Sequence, residues 1–478
     1  MNENVPASFA DVKLEASCRV PLLALFGGAA VWLVVSSALA LIASLNFHMP
    51  EKFAHCAWLT YGRVFPAAND ALLYGFCVPA GIGVAIWILS QLGRAPLRDP
   101  LVPVFAANLW HLGVLVGLIE ILSGNTTGFD WLEFQRGGSV LLFFAYLLLA
   151  AWAMMVFTAR RERALQPPHW FLIAALFWFP WVYATANLFL VAWPVRGIAQ
   201  SVIALWFANN FIFVWLSLIG LGTAFYFFPR LIGRPLQAVH YALFAFWSLI
   251  LFGTFCGIPH TAPVPAWMPT LSSVGGGMFV VLLLTVTIVE VRTVWGFIKS
   301  KWDNGPFCFI GSGADCFVIS LLMMIALACP AFDRTAGFTW FTQAQLQLQI
   351  YGFFAMTMFG AIYYLLPRAV DLKFPFPKLV AAHYWMSLIG IVLLVLPLAI
   401  GGIEQGLKLD NAKIAFPEIM NLSLMYLRVS TVGICFILIG NLLFALNVFV
   451  MTCVWKMALL KKILPAINAP LETSEVKS

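Results

Sequence analysis

Apolar residues along this chain neither alternate nor keep to a narrow helical stripe; they run in long blocks separated by short segments rich in proline and basic residues. A bilayer core of roughly 30 Å needs about 20 apolar residues per helix. By that measure the pattern predicts twelve spans, at about 20–47, 68–92, 101–123, 138–159, 168–193, 198–228, 239–257, 269–296, 308–330, 342–366, 379–403 and 427–453. The expected fold class is therefore an all-α integral membrane protein, a twelve-transmembrane-helix bundle over 20–453. A polar segment, 1–19, precedes it and a tail, 454–478, follows, ending in PLETSEVKS, which is expected to be disordered. The first nineteen residues are polar and the apolar run after them is long enough to stay in the bilayer, so the first helix is expected to serve as an uncleaved insertion signal.

Composition agrees: 62% of the 478 residues are hydrophobic, 15% aromatic and 10% charged, with a mean hydropathy of +0.93, outside the range of soluble domains. The net charge of +7 does not point to nucleic acid, because the basic residues sit in short loops between apolar blocks. Loops after even-numbered spans hold Arg94, Arg98, Arg160, Arg161, Arg163, Arg230, Arg234, Lys299, Lys301, Arg368, Lys373 and Lys378, against Lys52, Arg63, Arg136, Arg196, Arg334, Lys408 and Lys413 after odd-numbered ones. Both termini are expected on the cytoplasmic side of a bacterial inner (plasma) membrane, with Lys456, Lys461 and Lys462 holding the last helix there. The nine cysteines form no CxxC pair and read as small buried hydrophobes, not zinc ligands or a disulfide framework.

Ionisable side chains at bilayer depth cost several kcal/mol unless they face protein or water, so each is a candidate for function. The set is Asp70, His111, Glu120, Glu290, Arg292, Asp315 and His383, with amides at Asn108, Asn187, Asn209 and Asn210. Interhelical hydrogen bonding is the simpler role, and snorkelling suits Glu290 and Arg292 near a span end. The tenth span opens with four glutamines, in FTQAQLQLQIYGFF. At 100° per residue Gln345 and Gln349 share one face, while Gln343 and Gln347 share nearly the opposite one. A helix polar on two faces needs a polar neighbour or cavity on each, which places this span inside the bundle between two compartments.

QLQLQIYGFFAMTMFGAIYYLLPR, from Gln345 to Arg368, resembles the tenth helix of haem–copper oxidase subunit I, in its C-family (cbb-type) branch. There an H-x-H pair precedes a glycine-containing helix with a tyrosine-rich, Pro-basic exit. The sixth span, ANNFIFVWLSLIGLGTAFYFFPRLIGRP, is similar to that family's sixth helix, with its His-Asn pair, and AFWSLILFGTFCGIPH to the seventh, which ends in His-His. LTYGRVFPAANDALLYGF, AAHYWMSLIG and LRVSTVGICFILIGNLLFALN resemble the entrance to the second helix, the eleventh and the twelfth.

The resemblance implies six histidine ligands, and this sequence has one of them. The low-spin haem positions fall at Ala68 and Gln347, the high-spin proximal position at Gln345, and the copper positions at Asn209, Pro259 and His260. The family's ligand-linked tyrosine would lie near Gln237 and Val239, with Tyr241 off register. Amides are poor donors to haem iron and copper, and alanine and proline side chains cannot ligate. The expectation is no metal, no copper and no haem, with haem b conceivable only through ligands foreign to the family, such as His111, His383 or methionines including Met323, Met324, Met356 and Met358.

Three functions follow. The first is a cytochrome c oxidase subunit I-like protein depleted of cofactors, acting as a structural, assembly or regulatory subunit of a respiratory or redox complex. Its partners would be the lipid bilayer and other membrane or cytochrome c subunits. The second is a divergent haem-binding oxidase or nitric-oxide-reductase-like electron-transfer subunit. The third is a proton or small-molecule transporter using amide-lined pockets with Asp70, Glu120 and Asp315. GGG at 275–277 lies in an apolar helix and reads as close packing, not a phosphate loop.

Overall fold

A computed structural model describes residues 9–295 and 304–467. Lys299, Lys301 and the stretch containing PLETSEVKS lie outside the described residues. Among the described residues all regular structure is helical. In chain order its membrane-length helices are α1 (Lys13–Asn46), α2 (Tyr61–Gly93), α3 (Leu101–Ser123), α4 (Arg136–Thr158), α5 (Pro167–Ala192) and α6 (Ile198–Ile232). After a short helix, α7 (Val239–Gly253), come α8 (Trp267–Val294), α9 (Gly305–Ala328), α10 (Trp340–Val370), α11 (Pro377–Leu409) and α12 (Phe416–Lys461).

Eleven helices among the described residues are long and apolar enough to cross a membrane, one fewer than the sequence pattern predicts. The difference lies at the expected span 239–257. Its helix has 15 residues, about 22 Å at 1.5 Å per residue. It stops at Gly253, and Gly257 then takes a left-handed φ of +88°. The loop that follows carries Pro259, Pro263 and Pro265, which cannot donate main-chain hydrogen bonds to continue a helix. At the other end of the chain, residues 454–467, expected as tail, continue the last helix to Ile467.

Three helices form the centre. The most apolar windows of α2 and α6 are 100% buried and that of α10 is 89% buried, whereas no other span exceeds 44%. The outer helices present side chains such as Leu112, Leu115 and Ile119 of α3 outward, as contact with lipid tails requires. The exits of α6 and α10, YFFPR and YYLLPR, share a local device: Arg230 and Arg368 stack their guanidinium carbons 3.6 and 3.5 Å from the ring centroids of Tyr226 and Tyr364. Each arginine also donates to the carbonyl of that tyrosine, which satisfies a terminal acceptor in the last turn.

All three central helices, and α5, contain π-helical turns, at Ala71–Cys77, Asn187–Ala192, Asn210–Trp215 and Leu348–Ala355. In the central helices these widened turns begin directly after Asn209 and Gln347 and three residues after Ala68. Widened turns of this kind are uncommon and gather at functional sites, because they swing side chains out of ordinary helical register.

Candidate functional site

The glutamine segment sits where its spacing predicts, between two compartments. Gln345 and Gln349 line a cavity of about 1010 Å³, Gln347 lines a second cavity of about 110 Å³, and Gln343 reaches both. The wall between the cavities is shared by Tyr61, Phe65, Asn69, Trp340 and Gln343.

On the larger side the amides are joined in a chain that crosses three helices. Gln345 donates through Nε2 to the Ser320 hydroxyl at 3.2 Å, Ser320 donates to Oε1 of Gln349 at 2.9 Å, and Gln349 donates through Nε2 to Ser217 at 3.1 Å. Gln349 and both serines are fully buried, so these bonds satisfy groups that water does not reach. Asn209 donates to the carbonyl of Gly253 at 2.7 Å, in contact with the glycine that turns the chain at 257. A Cβ at Gly257 would lie 2.5 Å from Cβ of Asn209, so the close approach and the positive φ both require glycine there. The turn carries Pro259 and His260 to the same cavity. His260 Nε2 lies 2.7 Å from the Ser273 hydroxyl, and its main-chain N–H donates to Asp333 Oδ2 at 2.6 Å.

Ala68 and Gln347 line the smaller cavity together, beside Tyr351. Tyr351 donates to Asn441 at 2.5 Å, and Asn441 donates to Ser37 at 2.6 Å, which closes that side with a second polar chain. A cavity of about 110 Å³ falls short of the engineered ~150 Å³ cavity that accommodates benzene. A tetrapyrrole does not fit between Ala68 and Gln347 as they stand. The larger cavity has room for one, but its lining includes a single imidazole, His260, and no lysine or arginine to face haem carboxylates. Among the described residues no three His, Cys, Asp or Glu side chains come together as a metal site.

The remaining candidates are dispersed. His111 of α3 packs its ring onto Gly28 of α1, and His383 of α11 is buried among Phe309, Phe359 and Phe444 with Nδ1 3.0 Å from the Tyr363 hydroxyl. Neither lines either cavity. Glu120 faces the main chain of Gln135 and Gly138 at the start of α4, where a carboxylate complements the helix dipole. Asp315 is exposed on the outer surface, with its carboxyl in contact with that of Glu290. Asp70 is fully buried, and its carboxyl meets that of Glu133.

Glu133 belongs to the site although it lies outside any predicted span. It is 6% exposed and lines the larger cavity together with Asp130 and Asp333, all three on connecting segments. Burial, with the Asp70 carboxyl beside it, holds the Glu133 carboxyl well above the usual carboxylate range. Burial also raises Asp333, opposed in part by the His260 N–H that it accepts. A search confined to spans overlooks these residues; the available signal was the acidic pair inside the apolar loop stretch FDWLEF.

The sequence profile described as "Cytochrome C and Quinol oxidase polypeptide I" matches residues 20–436. The "Cytochrome c oxidase subunit 1 homolog, bacteroid" of Bradyrhizobium diazoefficiens is 23% identical over 464 residues, covering 89% of this chain and 80% of that protein. The "Cbb3-type cytochrome c oxidase subunit CcoN1" of Stutzerimonas stutzeri is 21% identical over 391 residues, covering 79% of this chain and 81% of that one. A solved structure of a haem–copper terminal oxidase dimer superposes with a TM-score of 0.65 at 13% identity, over 90% of this chain and 84% of its own, a likeness of fold.

Proposed function

The chain belongs to the family of cytochrome c and quinol oxidase polypeptide I, and we propose that within it this multi-pass membrane protein is a cofactor-depleted member, a structural, assembly or regulatory subunit of a respiratory or redox complex. One observation carries this reading. Of the six positions that the resemblance assigns to haem and copper ligands, only His260 presents an imidazole, and its ring is already engaged with Ser273. The other five hold Ala68, Asn209, Pro259, Gln345 and Gln347, which are poor donors or none for haem iron and copper. The amide and serine chain through Gln345, Ser320, Gln349 and Ser217 gives Gln345 a purpose without a metal: it ties α6, α9 and α10 together in the centre of the bundle. The smaller cavity supports the same reading, because its volume suits a few waters at about 30 Å³ each and not a macrocycle.

The proposal keeps the twelve-helix topology of the family, with α7 as its seventh helix, both termini cytoplasmic, and the mouth of the larger cavity on the opposite side. A subunit role predicts a constant companion. Purified in mild detergent from its native membrane, the chain should carry another membrane subunit or a membrane-bound c-type cytochrome at fixed stoichiometry. Any haem in the preparation should stay with the partner on a denaturing gel. A chain that elutes alone and monodisperse contradicts the subunit role.

A further inference from the structure

The larger cavity has a sign. Its carboxyl-bearing lining residues are Asp130, Glu133 and Asp333, and neither lysine nor arginine lines it. Aromatic side chains Tyr61, Phe65, Phe129 and Trp131 line the same cavity as Glu133. Glu133 is 94% removed from solvent, and its Oε2 has no hydrogen-bond donor. Behind it Asp70 is wholly buried, with its carboxyl against the side chain and main chain of Glu133. A second buried carboxyl beside Glu133, with no lysine or arginine lining the cavity, makes a positive charge the complementary ligand there.

We infer that the larger cavity is a binding site for an organic cation, an ammonium group on an apolar body, with Glu133 as the buried counter-ion and the surrounding rings as its aromatic cage. Aromatic faces and carboxylates together are the chemistry that holds alkylated ammonium ions, at about 0.5–2 kcal/mol per ring contact. At about 1010 Å³ the cavity stands at the upper end of small-molecule sites, roughly 300–1,000 Å³. Asp130, on the same loop, is exposed and lines the cavity as a second carboxylate. The apolar lining residues Ile212, Phe213 and Met324 are suited to an apolar body.

Binding has a proton cost that can be read out. The groups facing Glu133 are Asp70 and Tyr74 from α2 and Asp130 from its own loop, with Tyr183 of α5 facing Asp70, and none is basic. Burial holds the Glu133 carboxyl above its usual range, so a bound cation favours its ionised form and releases a proton, and binding strengthens as pH rises. The inference rests on the reading that no haem fills this cavity, and haem content is measured on the same sample to keep the two apart.

The experiment is calorimetric titration of the full-length protein in detergent with benzyltrimethylammonium, benzyl alcohol and benzenesulfonate, repeated with Glu133→Gln and Asp130→Asn. The expected result is saturable binding of the ammonium ion, at least tenfold tighter than either the alcohol or the sulfonate. It should weaken at least tenfold in Glu133→Gln and less in Asp130→Asn, with proton uptake by the buffer in the wild type and in Asp130→Asn and none in Glu133→Gln. Asp130→Asn lies on an exposed loop and serves if Glu133→Gln elutes as aggregate. Equal affinity for the cation and the alcohol, or affinity unchanged in the variants, overturns the inference while leaving a haem-free protein intact. Displacement of the probe by equimolar calcium ion overturns the organic part of it, and stoichiometric haem in the sample overturns both readings.

Discussion

Gly433→Leu is expected to abolish folded, monodisperse protein, at a cost above about 4 kcal/mol, beyond the ~1–3 kcal/mol of ordinary overpacking. Gly433 of α12 sits against Gly390 of α11 where the two helices cross. A Cβ at Gly433 would stand 2.6 Å from the main-chain nitrogen of Leu394 and 2.8 Å from the carbonyl oxygen of Gly390. A Cβ at Gly390 would in turn meet Ile437 and the carbonyl of Gly433. Obstacles made of main chain cannot rotate aside as a side chain can, so the helices must separate along the crossing. Between lipid-facing helices small residues supply association by letting the backbones approach, and no hydrophobic force between helices compensates for the lost packing. Fluorescence-detected size-exclusion chromatography checks this, with Gly433→Ala as the intermediate case. A leucine variant with the wild-type elution and melting temperature would show that this crossing does not hold α12.

Gln349→Leu should lower stability by about 2–4 kcal/mol without perturbing the helices around it, because each buried polar group left without a partner costs about 1–3 kcal/mol. The substitution removes the acceptor of Ser320 and the donor to Ser217, both fully buried. Ser320 would keep only the donation from Gln345. Gln345→Ala, at the end of the chain, should cost less than half as much, since Ser320 and Gln349 remain paired. Thermal unfolding in one detergent ranks the variants. Equal melting temperatures for Gln349→Leu and wild type would mean that the amide chain is not what joins the central helices.

Much of this architecture could be read in the sequence, and particular residues show where the reading stopped. Blocks of about 20 apolar residues marked the spans, and the two-residue spacing of the glutamines separated two polar faces, because both signals depend only on helix geometry. Which helices stand in the centre was not legible from apolarity: central α6 has a mean window hydropathy of 2.0 and peripheral α12 has 2.5, since lipid and a helix core are equally apolar. Gly253 and Gly257 ended the seventh helix inside an uninterrupted apolar run, and the last helix passed beyond the bilayer length through Lys456 and Lys461. Ser217 and Ser320 gave no pattern signal, because a single serine is compatible with any helix face. Glu133 and Asp130 lay in a loop that hydropathy excludes from the membrane, although the fold turns that loop inward over the cavity. The difference between the two cavity volumes arises from packing around Ala68 and Gln347, which no local pattern encodes.

The cofactor-depleted reading is tested most directly by a pyridine-haemochrome assay with copper analysis on protein purified from haem-replete cells, beside His111→Ala and His383→Ala. The expected result is a colourless protein with well under 0.1 haem or copper per chain and unchanged spectra in both variants, as the dispersed positions of these histidines require. Stoichiometric haem, lost in either variant, would contradict the account and assign the chain an electron-transfer role through ligands outside its family's set.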